Sequence, residues 1–235
     1  MGADKTIKKE KNYEKRALLH SVYLNNLPYA KGKKEKESLS KIIESMSLVD
    51  RKFFVLRENE KDAYIDIPLP IGYRQTVSQP TTVARMLLMA SLEKGLDVLE
   101  VGSGSGWNSA LISFLVGKKV TSIERIKELS DFAKNNLKNF DKHSKTGLKV
   151  WFVHGSALDA KSKVWKRSYD RIIVTAAAES GLANELLGIS KPKLKQNGLL
   201  VFPTESGRLE VWKKAKGGLD RVYYDEGYIF VPLIR

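Results

Sequence analysis

Two stretches of this chain combine residue types that can do chemistry. The first, IDIPLPIGYRQTVSQP at 65–80, sets a hydroxyl pair, Thr76 and Ser78, and a cation, Arg74, between Pro68, Pro70 and Gly72 on one side and Pro80 on the other. Prolines and glycine make such a backbone stiff and loop-like. A loop of this kind feeding a helix N-terminus is suited to hold an anion or a carboxylate. The second stretch, DVLEVGSGSGW at 97–107, puts Gly102, Gly104 and Gly106 between an apolar run and a helical pattern. Residues without side chains let the backbone turn tightly there and approach a ligand. A dinucleotide fingerprint, G-x-G-x-x-G, would need its last glycine where Trp107 stands. G-x-G-x-G with Glu100 ahead of it suits instead a cofactor without a pyrophosphate, whose amino and carboxylate ends need partners of both signs. Such a turn also serves as a bare strand-to-helix connection, so its position in the chain has to decide.

Glu124 ends the next apolar run, about twenty residues beyond the glycines, where a carboxylate can accept both hydroxyls of a ribose. The same residue also suits the N-terminal dipole of the helix that follows. After the third run, HGSALD offers Ser156 and Asp159 as acceptors for an adenine amino group. Each has an equal claim to an ordinary role, Ser156 as a turn cap and Asp159 as a solvated acid. With no cysteine there is no thiolate nucleophile and no cysteine-based zinc site. His20, His143 and His154 lie too far apart for metal-ligand spacing, so no metal is expected.

The elements that must position these residues follow from periodicity. Short apolar, β-branched runs at 97–102, 119–124, 148–155 and 171–177 read as strands buried on both faces. Helical patterns at 107–116 and 126–139 separate them, and TTVARMLLMASL provides a helix directly after the first stretch. The alternation predicts an α/β fold with a central, mostly parallel sheet and helices on both faces. RLEVWKKA and RVYYDEGYIFVPLIR, joined by a Gly-Gly turn, read as hairpin strands that add antiparallel edges at the C-terminal end. Upstream, residues 1–10 read as a disordered basic tail, 12–27 as a helix ended by Pro28, AKGKKEKES as a lysine-rich linker, and a further helix starts at Ser38 or Ser40. The division expected is 1–37, a basic N-terminal tail, helix and linker, and 38–235, the main domain.

A formal net charge of +14 suggests attraction to acidic partners or nucleic acid, against the plainer reading of a lysine-rich solvated surface. The basic runs carry no interleaved aromatic recognition motif, so nucleic acid is not the favoured partner. No run reaches bilayer length and the N-terminus is not a signal peptide, which makes the cytoplasm the expected compartment.

MSLVDRKFFV, DAYIDIPLPIG, QTVSQP, VLEVGSGSGW, IER at 123–125, YDRIIVTAAA and YIFVPLIR stand in one order along the chain. In these pieces the chain resembles the protein-L-isoaspartate O-methyltransferase family from about Ser38 to the C-terminus. The resemblance implies a Rossmann-like class I methyltransferase fold and S-adenosyl-L-methionine as cofactor. It implies methyl transfer to the free carboxylate of L-isoaspartyl residues in damaged proteins or peptides, a protein-repair reaction. It places Ser78, with Thr76 and Arg74 beside it, at the methyl group and the substrate carboxylate. Gly102, Ser103, Gly104 and Gly106 of the glycine loop, with Glu124 and Arg125, would hold the cofactor, and Thr175 would line the pocket. Two departures stand out. Arg74 occupies a place where the family usually has glycine, and reads either as a clamp for an acidic substrate or as a solvent-facing loop arginine. Gly155, Ser156 and Ala157 replace the family's Gly-Asp-Gly, leaving the adenine acceptor to Ser156 or Asp159. The competing readings are a relative acting on another acceptor, an aspartyl peptide or RNA, and a non-catalytic binding module of the same fold.

Overall fold

The computed structural model describes residues 2–234, so Met1 and the last residue of the closing motif, Arg235, lie outside the described residues. Three helices open the chain: α1 (Gly2–Lys9), α2 (Tyr13–Asn26) and α3 (Lys33–Leu48). A two-stranded antiparallel hairpin follows, β1 (Leu69–Gly72) and β2 (Gln75–Val77), leading into α4 (Pro80–Met89). Then the chain alternates through β3 (Val98–Val101), α5 (Trp107–Val116), β4 (Val120–Glu124), α6 (Lys127–Ser144), β5 (Val150–His154), β6 (Tyr169–Val174), α7 (Ser180–Ser190) and β7 (Leu194–Pro203). It closes with β8 (Arg208–Ala215) and β9 (Gly218–Glu226).

The seven-stranded sheet runs in the order β5-β4-β3-β6-β7-β8-β9, with the first five strands in that order parallel and β8 and β9 antiparallel to their neighbours. Every residue of β3 and β4 is buried, as strands covered on both faces require. One apolar layer joins α1 to α6 with one sheet face; a second packs α7 and the segment around Trp165 on the other. The central strands and helices therefore stand where the apolar runs and the 3.6-residue period put them. Because β3, β4, β5 and β6 are parallel, the loops at their C-terminal ends gather at one edge of the sheet, the usual place of a ligand crevice in open α/β sheets.

Four expectations are corrected. Residues 2–9 are helical, because Ala3 and Ile7 fall on one face of α1 and are buried against the neighbouring helices. The lysine-rich linker is shorter than expected: α3 starts at Lys33 and takes in KKEKES, its buried face supplied by Leu39, Ile42, Ile43 and Met46. Inside 65–80 the backbone is a hairpin with a two-residue loop, Tyr73 and Arg74. After Glu226 the chain leaves the sheet: residues 231–234 fold back over its C-terminal edge, where Ala177 donates to Val231 O at 2.8 Å and Leu233 donates to Ala177 O at 2.7 Å.

Candidate active site

The glycine loop leaves β3 through three residues with positive φ, Gly102 at 95°, Gly104 at 51° and Gly106 at 87°. A side chain at Gly102 would collide with Thr175 Oγ1, which donates to Gly102 O at 2.8 Å, and one at Gly106 would stand 3.1 Å from Ala133 of α6. Backbone conformation and close packing thus both demand glycine here. Around the loop opens a cleft of about 970 Å³, mouth included. Its floor is Gly102, Ser103 and Gly104, one wall carries Glu124 and Arg125, and Ser156 and Thr175 border it from the ends of β5 and β6. Gln75, Thr76 and Ser78 line the same cleft, with Thr76 O 3.9 Å from where a side chain on Gly104 would start. Of the residues expected at the site, the cleft therefore brings together Thr76, Ser78, Gly102, Ser103, Gly104, Glu124, Arg125, Ser156 and Thr175.

Glu124 is buried at the end of β4; its Oε2 accepts from Gly104 N at 3.1 Å and its Oε1 from Ile126 N at 3.0 Å. One carboxylate so ties the glycine loop to the start of α6. Gly106 does not face the cleft; it is the tight N-cap of α5. Glu100 lies beneath the loop, wholly buried, accepting from Asn108 Nδ2 at 2.8 Å, from Ser122 Oγ at 2.5 Å and from Ser109 Oγ. Burial pushes its carboxyl up to about 7, outweighing these three donors. Its reach stops at the serines, so Glu100 supports the loop from below and does not border the cleft. Asp159 is exposed and accepts from Lys161 N at 2.9 Å, outside the cleft, so of the two acceptors weighed for adenine only Ser156 is at hand. Ser156 Oγ also accepts from Leu158 N at 3.2 Å, the turn-capping role.

Arg74 is exposed at the hairpin tip and is not among the cleft residues. Tyr73 and Arg74 have φ of 54° and 58°, the left-handed pair that a two-residue type I′ hairpin requires. Backbone conformation is thus reason enough for glycine at this place; space beside a substrate need not be invoked.

Ser78 precedes α4, where a serine usually caps a helix. That work is done by Asp66: its Oδ1 accepts from Thr81 N at 2.9 Å and its Oδ2 from Thr81 Oγ1 at 2.5 Å. Among the described residues Ser78 Oγ has no partner, and it borders the cleft. A half-buried hydroxyl left unspent by the fold is available to a ligand.

Three features of the site escaped periodicity and spacing. Arg51, 2% exposed, donates to the carbonyls of Ala63 at 3.0 Å, Ile65 at 3.1 Å, Ile67 at 2.8 Å and Ser78 at 3.3 Å, and lies over the Trp107 ring. Burial lowers its guanidinium to about 10, which still leaves it charged at neutral pH. Arg85, 4% exposed, donates to Asp225 Oδ2 at 2.8 Å and to Tyr223 OH at 3.0 Å, tying α4 to the end of β9 from which the closing segment departs. That segment puts Val231, Pro232, Leu233 and Ile234 on the cleft wall. Both arginines act between elements distant in sequence, which no local pattern marks; for Arg51 the only signal was its place in the MSLVDRKFFV piece.

Among the described residues no group of three or more histidines, cysteines or acids could hold a metal ion, and no helix is long and apolar enough to cross a membrane.

The sequence profile of the family described as Protein-L-isoaspartate(D-aspartate) O-methyltransferase (PCMT) matches residues 29–235. The chain is 44% identical over 193 residues to a protein-L-isoaspartate O-methyltransferase of Pyrococcus abyssi, covering 78% of this chain and 82% of that one. It is 38% identical over 205 residues to the enzyme of the same name from Thermococcus onnurineus, covering 83% and 85%. In three dimensions it resembles a putative protein-L-isoaspartate O-methyltransferase from Plasmodium falciparum, solved in complex with S-adenosyl-L-homocysteine, with a TM-score of 0.73 and 25% identity over 95% of this chain and 99% of that one. A second solved protein-L-isoaspartate O-methyltransferase superposes with a TM-score of 0.69 at 23% identity over 91% of this chain and 65% of its own, a likeness of fold.

Proposed function

This chain belongs to the protein-L-isoaspartate(D-aspartate) O-methyltransferase family, and we infer from that membership and from its cleft that it is an S-adenosyl-L-methionine-dependent protein-L-isoaspartate O-methyltransferase. Its reaction is methyl transfer to the free carboxylate of L-isoaspartyl residues in damaged proteins or peptides, a repair reaction. The observation that carries this reading is one cleft lined both by the glycine loop with Glu124 and by the Thr76–Ser78 segment.

The residues present fit the cofactor. Side-chain-free backbone at Gly102 and Gly104 allows close approach, Glu124 offers carboxylate oxygens at the distance along the sheet where ribose hydroxyls are held, and Ser156 borders the far end. When bound, S-adenosyl-L-methionine supplies a sulfonium methyl group, which passes to a carboxylate oxygen as the sulfur–methyl bond breaks, leaving a methyl ester and S-adenosyl-L-homocysteine. The nucleophile needs no general base, because a side-chain carboxyl with an unperturbed pKa near ~4 is already ionised at neutral pH. What the protein must supply is orientation and exclusion of water. Ser78 Oγ donates a hydrogen bond that aims the substrate carboxylate, with Thr76 beside it. Val231, Pro232, Leu233 and Ile234 form the apolar wall that keeps water from the reacting atoms. A chain without cysteine needs no oxidising compartment, and the cytoplasm is where we place its activity.

The deciding experiment offers methyl-labelled S-adenosyl-L-methionine with matched isoaspartyl peptide, aspartyl peptide and RNA. Label on the isoaspartyl peptide alone, released by mild base as an ester is, supports the assignment. Label on the aspartyl peptide or the RNA overturns the acceptor. Absence of donor binding by calorimetry overturns the enzyme in favour of a binding module.

A further inference from the structure

The end of the molecule opposite the cleft carries a line of cations that the methyl-transfer reading leaves without a task. Lys138 and Lys142 stand one turn apart on the exposed face of α6, about 6 Å along its axis. Lys145 caps that helix in a left-handed conformation, and Lys149 follows just ahead of β5. Lys119 precedes β4 beside it, since Val120 donates to Lys149 O at 3.0 Å and Val120 pairs with Val150. All five are exposed.

Neighbouring lysines are neutralised and these are not. Lys127 and Lys134 bond Asp131 at 2.6 and 3.1 Å, and Lys118 and Lys195 bond Asp97. Among the described residues none of the five is in an ion pair with a carboxylate. From 132 to 150 the single acid is Asp141, and it is engaged by Gly147 N at 2.7 Å and by Thr146 Oγ1 at 3.3 Å. Such a row of unpaired like charges calls for an anionic partner of matching linear charge.

The surroundings decide which partner. The exposed large hydrophobics of the molecule include none between 118 and 167. The line therefore lacks the apolar anchor of a protein interface, the stacking platform of a single-strand site and the inserting face of a membrane-surface helix. Exposed, hydrated ammonium groups at one end of the molecule, with no apolar anchor among them, fit a phosphate backbone, whose charges recur every few ångströms. We propose that Lys138, Lys142, Lys145, Lys149 and Lys119 bind duplex nucleic acid through its phosphates, without reading its sequence. These residues cluster at the C-terminal end of α6 and before the N-termini of β4 and β5, whereas the cleft opens at the strands' C-termini. Duplex and peptide can thus be held at the same time.

Fluorescence anisotropy with a labelled duplex of about 20 base pairs tests this over salt from about 50 to about 200 mM. Five phosphate contacts predict a log–log salt slope of about −4.5 and a loss of about 10²–10³-fold over that range. The variant K138Q/K142Q/K149Q is expected to bind at least about tenfold more weakly at the low-salt end, with a slope shallower by about 2–3, while methylating isoaspartyl peptide as the wild type does. Amine-reactive labelling read by mass spectrometry gives a second measure on the unaltered protein: duplex should protect these five lysines and leave Lys127 reactive. The proposal is overturned if the wild type does not bind duplex at low salt, or if the folded variant binds unchanged. It is equally overturned if single strands or polyglutamate bind as tightly as duplex, or if the five lysines stay unprotected.

Discussion

At the scale of single residues, the role proposed for Ser78 rests on a hydroxyl that the fold does not use. Asp66 caps α4 in its stead, and Ser78, a cleft-lining residue, has no hydrogen-bond partner for its Oγ among the described residues. Ser78→Ala is expected to lower kcat by roughly 10–10²-fold, the worth of a hydrogen bond to a charged group, with donor affinity by calorimetry within about twofold of wild type. A loss confined to donor affinity would contradict the role. At Arg74 the backbone conformation argues against a clamp, so Arg74→Gly should leave peptide kinetics unchanged across a panel of acidic and neutral peptides. Relief of the left-handed strain is worth about 1 kcal/mol and is largely offset by the greater freedom of glycine in the unfolded chain, so thermal stability should change by less than about 1 kcal/mol. Glu100 provides a pH signature. Burial raises its carboxyl to about 7, above the ordinary 4.5 of a glutamate, so the folded state holds the proton more tightly. The stability it contributes is fully present below 4.5 and is lost as pH rises through about 7, in all roughly 3 kcal/mol. Glu100→Gln, a neutral isostere, should flatten this fall; Asn108 Oδ1, buried without a partner, can accept from the new amide after a flip. Denaturant midpoints measured from pH 4 to pH 8 on both proteins would show it, and parallel curves would refute it.

At the scale of elements, the hairpin and the glycine loop must meet at the cleft although 25 residues or more separate them in sequence. Arg51 provides the join, holding four carbonyls of the 63–78 segment while lying over Trp107 at the head of α5. It acts through the segment it holds and is a positioning residue. Arg51→Ala should raise peptide KM and lower kcat together, each by about tenfold or more as carbonyls lose charged donors, with donor affinity less affected. Faster hydrogen exchange of the 63–78 amides should accompany this, and Arg51→Lys should rescue it poorly, since one ammonium cannot reproduce the planar fork. A purely global loss of stability would speed exchange throughout and leave KM alone.

For the molecule as a whole, the sheet separates two ends with different tasks, the cleft at the C-terminal ends of the parallel strands and the lysine line at the opposite end. The N-terminal helices belong to the same body: α1 to α3 share one apolar layer with α4, α5 and α6. Deleting residues 1–10 removes the burial of Ala3 and Ile7 and should cost about 2–4 kcal/mol, lowering Tm by about 5–15 °C in a calorimetric scan. Peptide methylation well below that temperature should persist. An unchanged Tm would mean that α1 does not dock in solution.

What the sequence determined by itself was whatever depends on neighbours along the chain. Short apolar, β-branched runs against a 3.6-residue period placed β3 to β6 and α4 to α6, and three spaced glycines after β3 marked the turn that must approach a ligand. Glu124 was legible because it ends β4, Thr76 and Ser78 because they stand in a loop of prolines and glycine, and Thr175 only through the family resemblance. Other positions were decided only when distant segments met. Glu100 went beneath the loop because Ser109 and Ser122 converge on it from α5 and β4. Asp66 took over the cap of α4, and Asp159 turned to its own backbone. The closing YIFVPLIR looked like a strand by composition and left the sheet because Ala177 offers it two backbone bonds at the cleft. In the same way the lysine-rich 33–38 and residues 2–9 became helical because α1 and α3 bury their apolar faces on one another and on the main body. Helix stability in water comes chiefly from such tertiary burial, and a charged sequence shows its apolar face only once the surface opposite it exists.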